Sequence, residues 1–423
     1  METIRIITTP RCVPTPRLLL IVCLLAAFAV PSGNALVAIR SAPPPPSDLA
    51  IVKQLLAQGH ISMDHDVQDI HRVTAKSAFC NALYRVTTTI DDDDDDDASH
   101  HQQHKKKKSY MAKVFSPLAA ARMRCGSASS DSGMFRIDRL AAQHDLGPQI
   151  HAMDTDAPAL LMQDCAGRVL TEDDLFVPPQ NDNDQDVVQL AAKALAHLHS
   201  LSLSSSSQVA AWSRSSPNML WQSCQVLLQQ YANPQWKATT TCTSDTTGNS
   251  AWTYTRLVNC LQQHRDALEK QGNDKLLITP CGHGDCKPSN LLLLHGSNND
   301  DNGERDDHGH ARIRFLDLEL AGTHYVAYDL AKLWRSSEPL SPTTRDRQRL
   351  FLETYAQHAG IHNVASLKQQ VQQMLPLTWL EAAAFFVAMS SSSSRKNGSE
   401  QHLWDALALD RLRCYEECLS TCT

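Results

Sequence analysis

The sequence predicts an α+β fold of two lobes, in which a small β-rich lobe precedes a larger, mostly helical one. Two observations predict this order. Runs typical of strands occur in the first third of the chain, at residues 70–74, 83–90 and 110–115. Runs with apolar residues at helical spacing occur later, at residues 187–199, 257–268 and 367–389.

The N-terminal lobe is predicted to span residues 47–162. A helix over about residues 133–144 follows the three strands, and Gly147 and Pro148 stop it. A short apolar strand then completes the lobe. The polar stretch that follows ends in a glycine and suits a hinge, so the C-terminal lobe is predicted to span residues 163–423.

Composition excludes two classes of protein. The chain has 423 residues, of which 42% are hydrophobic, enough to build well-packed lobes. Its formal net charge of -7 gives no overall attraction to nucleic acid, so no nucleic-acid partner is expected. Any anionic ligand must therefore be held by local cations. The thirteen cysteines contain no C-x-x-C pair, which argues against a disulfide framework.

The N-terminal residues resemble a targeting segment. Three arginines precede an apolar run at residues 18–30 that is too short to span a bilayer comfortably. A proline run follows, so residues 1–46 are predicted to be a signal or targeting segment with a Pro-rich linker. We expect a secretory signal, giving an endomembrane or secreted protein, or alternatively a bipartite plastid presequence. Membrane contact is expected only through an uncleaved segment.

Residues 91–108 are predicted to be an inserted low-complexity loop. Seven consecutive aspartates begin it and four consecutive lysines end it, with almost no apolar residue between them. Such a segment buries too little apolar surface to offset the entropy of ordering. Serine- and asparagine-rich stretches at residues 204–207, 298–310 and 390–394 are interpreted in the same way.

A polar segment in the second half of the chain carries the residue types of a phosphoryl-transfer loop. His283, Asp285 and Asn290 occur in the order H-x-D-x-x-x-x-N, directly before an apolar run. In that pattern the aspartate accepts or orients the proton of an attacking hydroxyl, and the asparagine reaches a magnesium ion. Asp285 is thus the candidate catalytic residue and Asn290 a candidate metal ligand. Lys287, beside the acceptor or the transferring phosphate, is the second catalytic candidate.

A second carboxylate follows the next apolar run. Residues 313–316 are predicted to form a strand, and Asp317 comes directly after it. Magnesium binds carboxylate and amide oxygens, and phosphoryl transfer needs a second such ligand at a position like this one. Asp317 is therefore the other candidate metal ligand.

Lys113 is the candidate phosphate-binding residue of the N-terminal lobe. It lies between apolar neighbours in the third predicted strand. Taken alone it would be read as an exposed strand lysine. Its position upstream of the phosphoryl-transfer loop instead favours contact with the α and β phosphates of a nucleotide.

These motifs resemble the choline/ethanolamine kinase family within the wider aminoglycoside-phosphotransferase group. The similarity covers about residues 67–419 and is most specific at residues 283–294 and 317–329. In the second stretch, Asp317 and Glu319 match the D-x-E motif of that family. The resemblance implies a two-lobed protein-kinase-like fold that uses ATP and Mg2+.

The resemblance also implies roles for single residues. ATP would lie in the cleft, contacted by Asn81 in the nucleotide loop and by Gln163 and Cys165 in the hinge. Glu319 would lie near the metal or the acceptor. Asp329, the distal aspartate of the second stretch, would brace the catalytic loop.

The nucleotide side departs from the family pattern. Residues 75–81, the equivalent of the nucleotide loop, contain no glycine, so their backbone cannot approach phosphates as freely. The helix after the third strand offers Asp131 or Asp138 as the partner of Lys113, and the sequence does not distinguish them. A catalytically impaired pseudokinase that only binds ligands therefore stays an alternative.

The acceptor is predicted to be choline, ethanolamine or a related amino alcohol of phospholipid precursor synthesis. Glu319 and Glu381 are the candidate substrate-binding carboxylates. A quaternary ammonium would require enclosing aromatic faces, but Glu381 and Ala384 stand where aromatic residues are expected. The alternative acceptor is another small alcohol, such as an aminoglycoside-like sugar, a thiamine-like alcohol or methylthioribose. The sequence leaves a homodimer open.

Overall fold

A computed structural model provides the structure of the protein. It describes residues 46–61, 67–73, 81–90, 106–125, 134–179, 186–201, 218–238, 251–272, 276–294, 311–391 and 398–422. Several predictions lie outside these residues. They are the targeting segment up to residue 45, residues 91–105 of the insertion, most of the nucleotide loop, Asp131, and the low-complexity stretches at 204–207, 298–310 and 392–394.

The N-terminal lobe is one antiparallel sheet flanked by three helices. Its elements are α1 (Pro46–Gln58), β1 (Val67–Val73), β2 (Asn81–Ile90), β3 (Lys106–Phe115), α2 (Pro117–Cys125), α3 (Arg136–Gln143), β4 (Ile150–Asp154) and β5 (Ala159–Gln163). The strand order is β1-β2-β3-β5-β4. The sheet therefore places β3, the strand that carries Lys113, at its centre.

Helix α1 closes one face of this sheet, and the sequence prediction omitted it. Val52, Leu55 and Leu56 are fully buried there, in the same core as Tyr84 and Leu161. Their spacing of three and four residues is the pattern of one helical face. The prediction ended a Pro-rich linker at residue 46 and did not identify the apolar stripe that begins directly after it.

The C-terminal lobe is mostly helical, as predicted. Its elements are β6 (Arg168–Val169), α4 (Glu172–Phe176), α5 (Val187–Ser200), α6 (Met219–Val226) with a π-helical turn (Leu227–Tyr231), α7 (Tyr254–Gln271), β7 (Ile278–Gly282), β8 (Leu291–Leu294), β9 (Arg312–Phe315), β10 (Gly322–Tyr325), α8 (Val326–Leu333), α9 (Pro342–His358), α10 (Val364–Ser391) and α11 (Gly398–Cys422). Strands β6, β8 and β9 form one small sheet, and β7 pairs with β10. These short strands position the candidate site.

Helix α10 has the length and apolar content of a membrane-spanning helix. However, 78% of its most apolar stretch is buried inside the lobe. Leu377, Leu380 and Ala383 are fully buried there, in the same core as residues of α8 and α11. This burial is what the core helix of a globular lobe requires.

One boundary prediction is wrong. The insertion was placed at residues 91–108, but β3 begins at Lys106. Lys106 and Lys108 pair with Ile90 and Thr88 of β2. A lysine run can extend a β ladder because the ladder is made by backbone groups, while the long side chains stay solvated.

Candidate active site

The catalytic loop, residues 283–290, connects β7 to β8 and is held in shape by hydrogen bonds between its own residues. Pro288–Asn290 forms a single 3-10 turn, in which the backbone N–H of Asn290 donates to the carbonyl of Lys287 at 2.9 Å. The Asn290 amide, which is 4% exposed, donates to the Asp285 carbonyl at 2.9 Å and to its Oδ2 at 3.2 Å. The loop therefore holds these two predicted residues side by side.

Asp329, in the first turn of α8, is hydrogen-bonded to the main chain of the catalytic loop. Its carboxylate accepts the backbone N–H groups of His283 at 2.7 Å and Gly284 at 2.8 Å. It also contacts Nε2 of His199 at 3.0 Å. Burial raises the pKa of Asp329, but the hydrogen bond and charge of His199 outweigh burial and bring it to about 2.

The loop passes close to the main chain of Leu320, and Gly284 allows this. Its φ is +77°, and a Cβ added there would lie 2.4 Å from the carbonyl oxygen of Leu320. A side chain at this position would clash and would strain the backbone. Gly284 is thus required by the conformation of the loop.

Two lysines share the carboxylate of Asp285. Nζ of Lys287 lies 2.8 Å from Oδ2, and Nζ of Lys332 lies 2.8 Å from Oδ1. Burial raises the pKa of Asp285, but the two ammonium groups hold it well below its ordinary value. Asp285 is therefore ionised at neutral pH and suited to orienting a hydroxyl more than to storing its proton.

Asp317 follows β9 in a left-handed conformation, with φ 61° and ψ 51°. The residue before it, Leu316, is hydrogen-bonded to the catalytic loop through both its N–H and its carbonyl. The backbone N–H of Leu316 donates to the carbonyl of Asn290 at 2.8 Å, and Nε2 of His283 pairs with the Leu316 carbonyl at 3.1 Å. The main chain next to Asp317 is thus hydrogen-bonded to the loop that carries Asp285 and Asn290.

Lys113 joins the N-terminal lobe to this group. It is 7% exposed, and its ammonium donates to Oδ1 of Asp317 and, at 3.2 Å, to Oε2 of Glu319. Nδ2 of Asn81 donates to the same Glu319 oxygen at 2.5 Å. Glu319 and Asn81 therefore lie beside Lys113. Burial and the charge of Asp317 raise the pKa of Glu319.

Of the two proposed acidic partners of Lys113, Asp138 is the one the structure describes. It is in the first turn of α3, within electrostatic reach of Lys113. Burial raises its pKa to about 6 against the opposing effect of Lys113. In this structure, however, the direct ion pairs of Lys113 are with Asp317 and Glu319.

The side chains of the predicted hinge residues are held by an arginine. Nη1 of Arg314 donates to Oε1 of Gln163 at 3.2 Å and to Sγ of Cys165 at 3.1 Å. The same guanidinium pairs with Asp145. Contact between the hinge and a nucleotide stays a prediction, and these bonds favour the main chain as the part that would make it.

Glu381 is buried next to the catalytic loop, and both of its carboxylate oxygens are paired. It is 5% exposed, with Oε1 paired to Arg122 at 2.7 Å and Oε2 to Lys332 at 2.9 Å. Its carboxylate is already neutralised by two cations. These contacts do not support the predicted role of Glu381 as a ligand for a substrate amine.

The sequence prediction missed Lys332 and Arg122. Lys332 is three residues after Asp329 in α8, all of whose residues are buried. A lysine within such a run was the signal that could have found it, because a lysine is almost never fully buried unless it is paired. Arg122 gave a weaker signal of the same kind, since its neighbours in α2 are apolar except for Arg124.

The sequence matches the model of a known protein family. A model described as the phosphotransferase enzyme family matches residues 96–368, well over half of the chain. The chain belongs to the phosphotransferase enzyme family. It is therefore a small-molecule phosphotransferase, and use of a nucleotide follows from that membership. No curated protein sequence matches it significantly.

The phosphotransferase is also similar in fold to solved kinases. Plasmodium vivax ethanolamine kinase has a TM-score of 0.55 at 13% identity, over 92% of this chain and 96% of the other. A choline/ethanolamine kinase family protein from Mesorhizobium loti has 0.47 at 14%, over 88% and 94%. An aminoglycoside phosphotransferase from Streptomyces rimosus has 0.40 at 15%, over 78% and 98%. The predicted kinase-like fold is confirmed.

The donors at the centre of the phosphotransferase site fit a hard cation. Asp317 and Asn290 supply carboxylate and amide oxygens from adjoining segments, with Asp285 next to them. Magnesium prefers oxygen ligands of this kind. In the described parts of the chain no group of three His, Cys, Asp or Glu residues suits a metal, and the two predicted ligands are one carboxylate and one amide.

Proposed function

We propose that this phosphotransferase moves the γ-phosphate of Mg-ATP onto a hydroxyl of a small molecule. The observation that supports it is the convergence of Asp285, Asn290 and Asp317, fastened by the 2.8 Å bond between the Leu316 N–H and the Asn290 carbonyl. Positioning and charge stabilisation provide most of the catalysis in such reactions.

In this proposal Asn290 and Asp317 would hold Mg2+, which would neutralise charge on the transferring phosphate. Lys113 is well placed for the nucleotide phosphates because β3 fixes its stem and its Nζ already lies at the cleft carboxylates. Phosphate and metal would together replace the Lys113–Asp317 ion pair.

Asp285 would orient the acceptor hydroxyl. Its carboxylate is held in the ionised form between Lys287 and Lys332, so it can accept a hydrogen bond from the hydroxyl without losing a proton first. Lys287, whose side chain is 29% exposed, would stabilise charge on the phosphate as it approaches.

The resemblance to choline/ethanolamine kinases supports an amino alcohol as the acceptor. Against choline, Arg335 lies 4.6 Å and Arg411 5.3 Å from the centre of the Trp379 ring, where an ammonium would otherwise stack. Glu381 is also paired with two cations. These contacts favour the second candidate, a kinase of a small alcohol without a fixed positive charge, such as a sugar.

An acceptor panel with an ADP-release assay tests the proposal. It would contain ethanolamine, choline, an aminoglycoside, thiamine and methylthioribose, each with Mg-ATP and with ATP plus EDTA. We expect Mg-dependent ADP release above the water-only rate with at least one acceptor. If Mg-ATP neither raises the melting temperature nor yields ADP, the pseudokinase alternative replaces the proposal.

A further inference from the structure

Lys332 is a buried cation in direct contact with the catalytic loop. Its side chain is 3% exposed. Nζ lies 2.8 Å from Oδ1 of Asp285, 2.9 Å from Oε2 of Glu381 and 3.3 Å from the carbonyl oxygen of Gly284. Nζ also lies 3.5 Å from the hydroxyl oxygen of Tyr328, a longer contact. An ammonium group has three donors, and the three shorter contacts use them. Lys332 therefore has none left for a phosphate or substrate.

We propose that Lys332 is a positioning residue for phosphoryl transfer, holding Oδ1 of Asp285 so that Oδ2 faces the cleft. The inference rests on the proposed function, since it assigns Lys332 a part in that reaction. Two of the three acceptors belong to adjacent residues of the catalytic loop, Gly284 and Asp285. One ammonium thus fixes both the main chain and the carboxylate of the loop.

The two lysines on Asp285 differ in their surroundings, which separates their roles. The side chain of Lys287 is 29% exposed, and its charge also acts on Asp317 across the cleft. The side chain of Lys332 is 3% exposed and lies on the opposite side of the carboxylate. Lys287 can exchange its contact for a phosphate, whereas Lys332 stays behind the loop.

Glu381 keeps Lys332 in place. Its second oxygen is held at 2.7 Å by Arg122, which also donates to Oγ of Ser223 at 2.6 Å. Arg122 comes from α2 of the N-terminal lobe, and Glu381 from α10. The ion-pair chain therefore reaches from the N-terminal lobe to Asp285, and Glu381 acts through Lys332 instead of touching the acceptor.

A stability role alone would not explain a lysine here. A buried ion pair is often no more stabilising than packed apolar residues of similar volume, while losing one partner of the pair is costly. Removing Lys332 must therefore be compared with removing the whole pair. Lys332→Met alone leaves Glu381 and Asp285 short of a cation, and Lys332→Met with Glu381→Gln relieves part of that imbalance.

The test measures ADP release from Mg-ATP, with water and with the best acceptor of the panel, together with thermal unfolding. For Lys332→Met we expect kcat to fall about 10²-fold, the loss typical of a misplaced reacting group, while KM for Mg-ATP stays close to the wild-type value. For the double variant we expect the melting temperature to recover and kcat to stay low. Arg347→Met is the matched control, because it breaks the buried pair with Asp186 in the same lobe and should lower stability but not kcat.

The inference is overturned if the double variant recovers kcat together with its melting temperature, since Lys332 would then serve stability alone. It is equally overturned if Lys332→Met stays folded and turns over at the wild-type rate. A wild-type chain that releases no ADP in any condition would instead defeat the proposed function, a result that the variants cannot mimic.

Discussion

The two aspartates of the cleft, Asp285 and Asp317, are both paired with lysines, but the pairs differ. The side chain of Asp317 is 32% exposed and faces Lys113 of the other lobe. The side chain of Asp285 is 19% exposed and is held from behind by Lys332 of its own lobe. One pair can open toward a ligand, and the other is enclosed by the fold.

This difference separates binding from positioning. In the proposed reaction, Mg-ATP would replace the ion pair between Lys113 and Asp317. Lys332 needs no displacement, since it contacts the side of Asp285 away from the cleft. On the proposed function, the Lys113–Asp317 pair would exchange on nucleotide binding, and the Lys332–Asp285 pair would keep a fixed geometry.

Loss of Asp317 should have the largest effect, because it removes the predicted metal ligand. We expect Asp317→Ala to lower kcat by at least about 10³-fold, as a metal contributes several kcal/mol to such a transition state. The fold should persist, since Lys113 keeps Glu319 as a partner. ADP release and circular dichroism check this, with Asp266→Asn on the exposed face of α7 as control. Wild-type-like turnover by Asp317→Ala would contradict the metal assignment.

Loss of the brace behind the loop should have the next largest effect. Asp329→Asn replaces an acceptor of two backbone N–H groups by an amide that can satisfy fewer of them. We expect kcat to fall about 10²-fold through loop misplacement, with a lower melting temperature. Unchanged kcat in a folded Asp329→Asn protein would show that the brace is dispensable.

The same variant gives a pH test. The pKa of Asp329 is depressed to about 2 in the folded chain, so its ionised form stabilises the native state. That stabilisation, about 2 kcal/mol, is present above the unfolded pKa near 4 and is lost as pH falls toward 2. Denaturant melts should therefore show a difference between wild type and Asp329→Asn that shrinks from pH 5 to pH 2. A difference independent of pH would contradict the assignment.

A smaller effect is expected on the nucleotide side from Asn81→Ala. Asn81 donates one hydrogen bond to Glu319 and accepts a longer one, at 3.3 Å, from the backbone N–H of Ser116, and such bonds are worth about 1 kcal/mol each. We expect KM for ATP to rise about 5-fold with little change in kcat. Asn233→Ala, in an exposed turn, is the control. A fall in kcat without a change in KM for ATP would contradict a role of Asn81 in nucleotide binding.

The smallest effect is expected from the charged insertion. Replacing residues 92–104 by a short Gly-Ser linker keeps the β2–β3 ladder from Asn81 and Phe115 to Ile90 and Lys106. Because that ladder is kept, we expect the free energy of unfolding to change by about 0.5 kcal/mol or less and kcat not to change. A large loss of stability or of kcat would show that the insertion has a role that its composition does not indicate.

What the sequence predicted well is local in the chain. Asp285, Asn290 and Asp317 lie on two segments joined by a β8–β9 hairpin, so their order and spacing carry the geometry. Ion pairs between distant segments could not be predicted. Glu381 and Arg122 are 259 residues apart, and only the packing of α2 against the C-terminal lobe brings them together. Glu381 was assigned to the substrate because a single carboxylate gives no information about its partners.

The most direct test is a crystal structure with Mg2+ and a non-hydrolysable ATP analogue. The account predicts a cation held by Asp317 and Asn290, Nζ of Lys113 moved from Asp317 to phosphate oxygens, and Lys332 still within hydrogen-bond distance of Oδ1 of Asp285. A cation bound away from Asp317 and Asn290, or Lys332 detached from Asp285 in that complex, would contradict it.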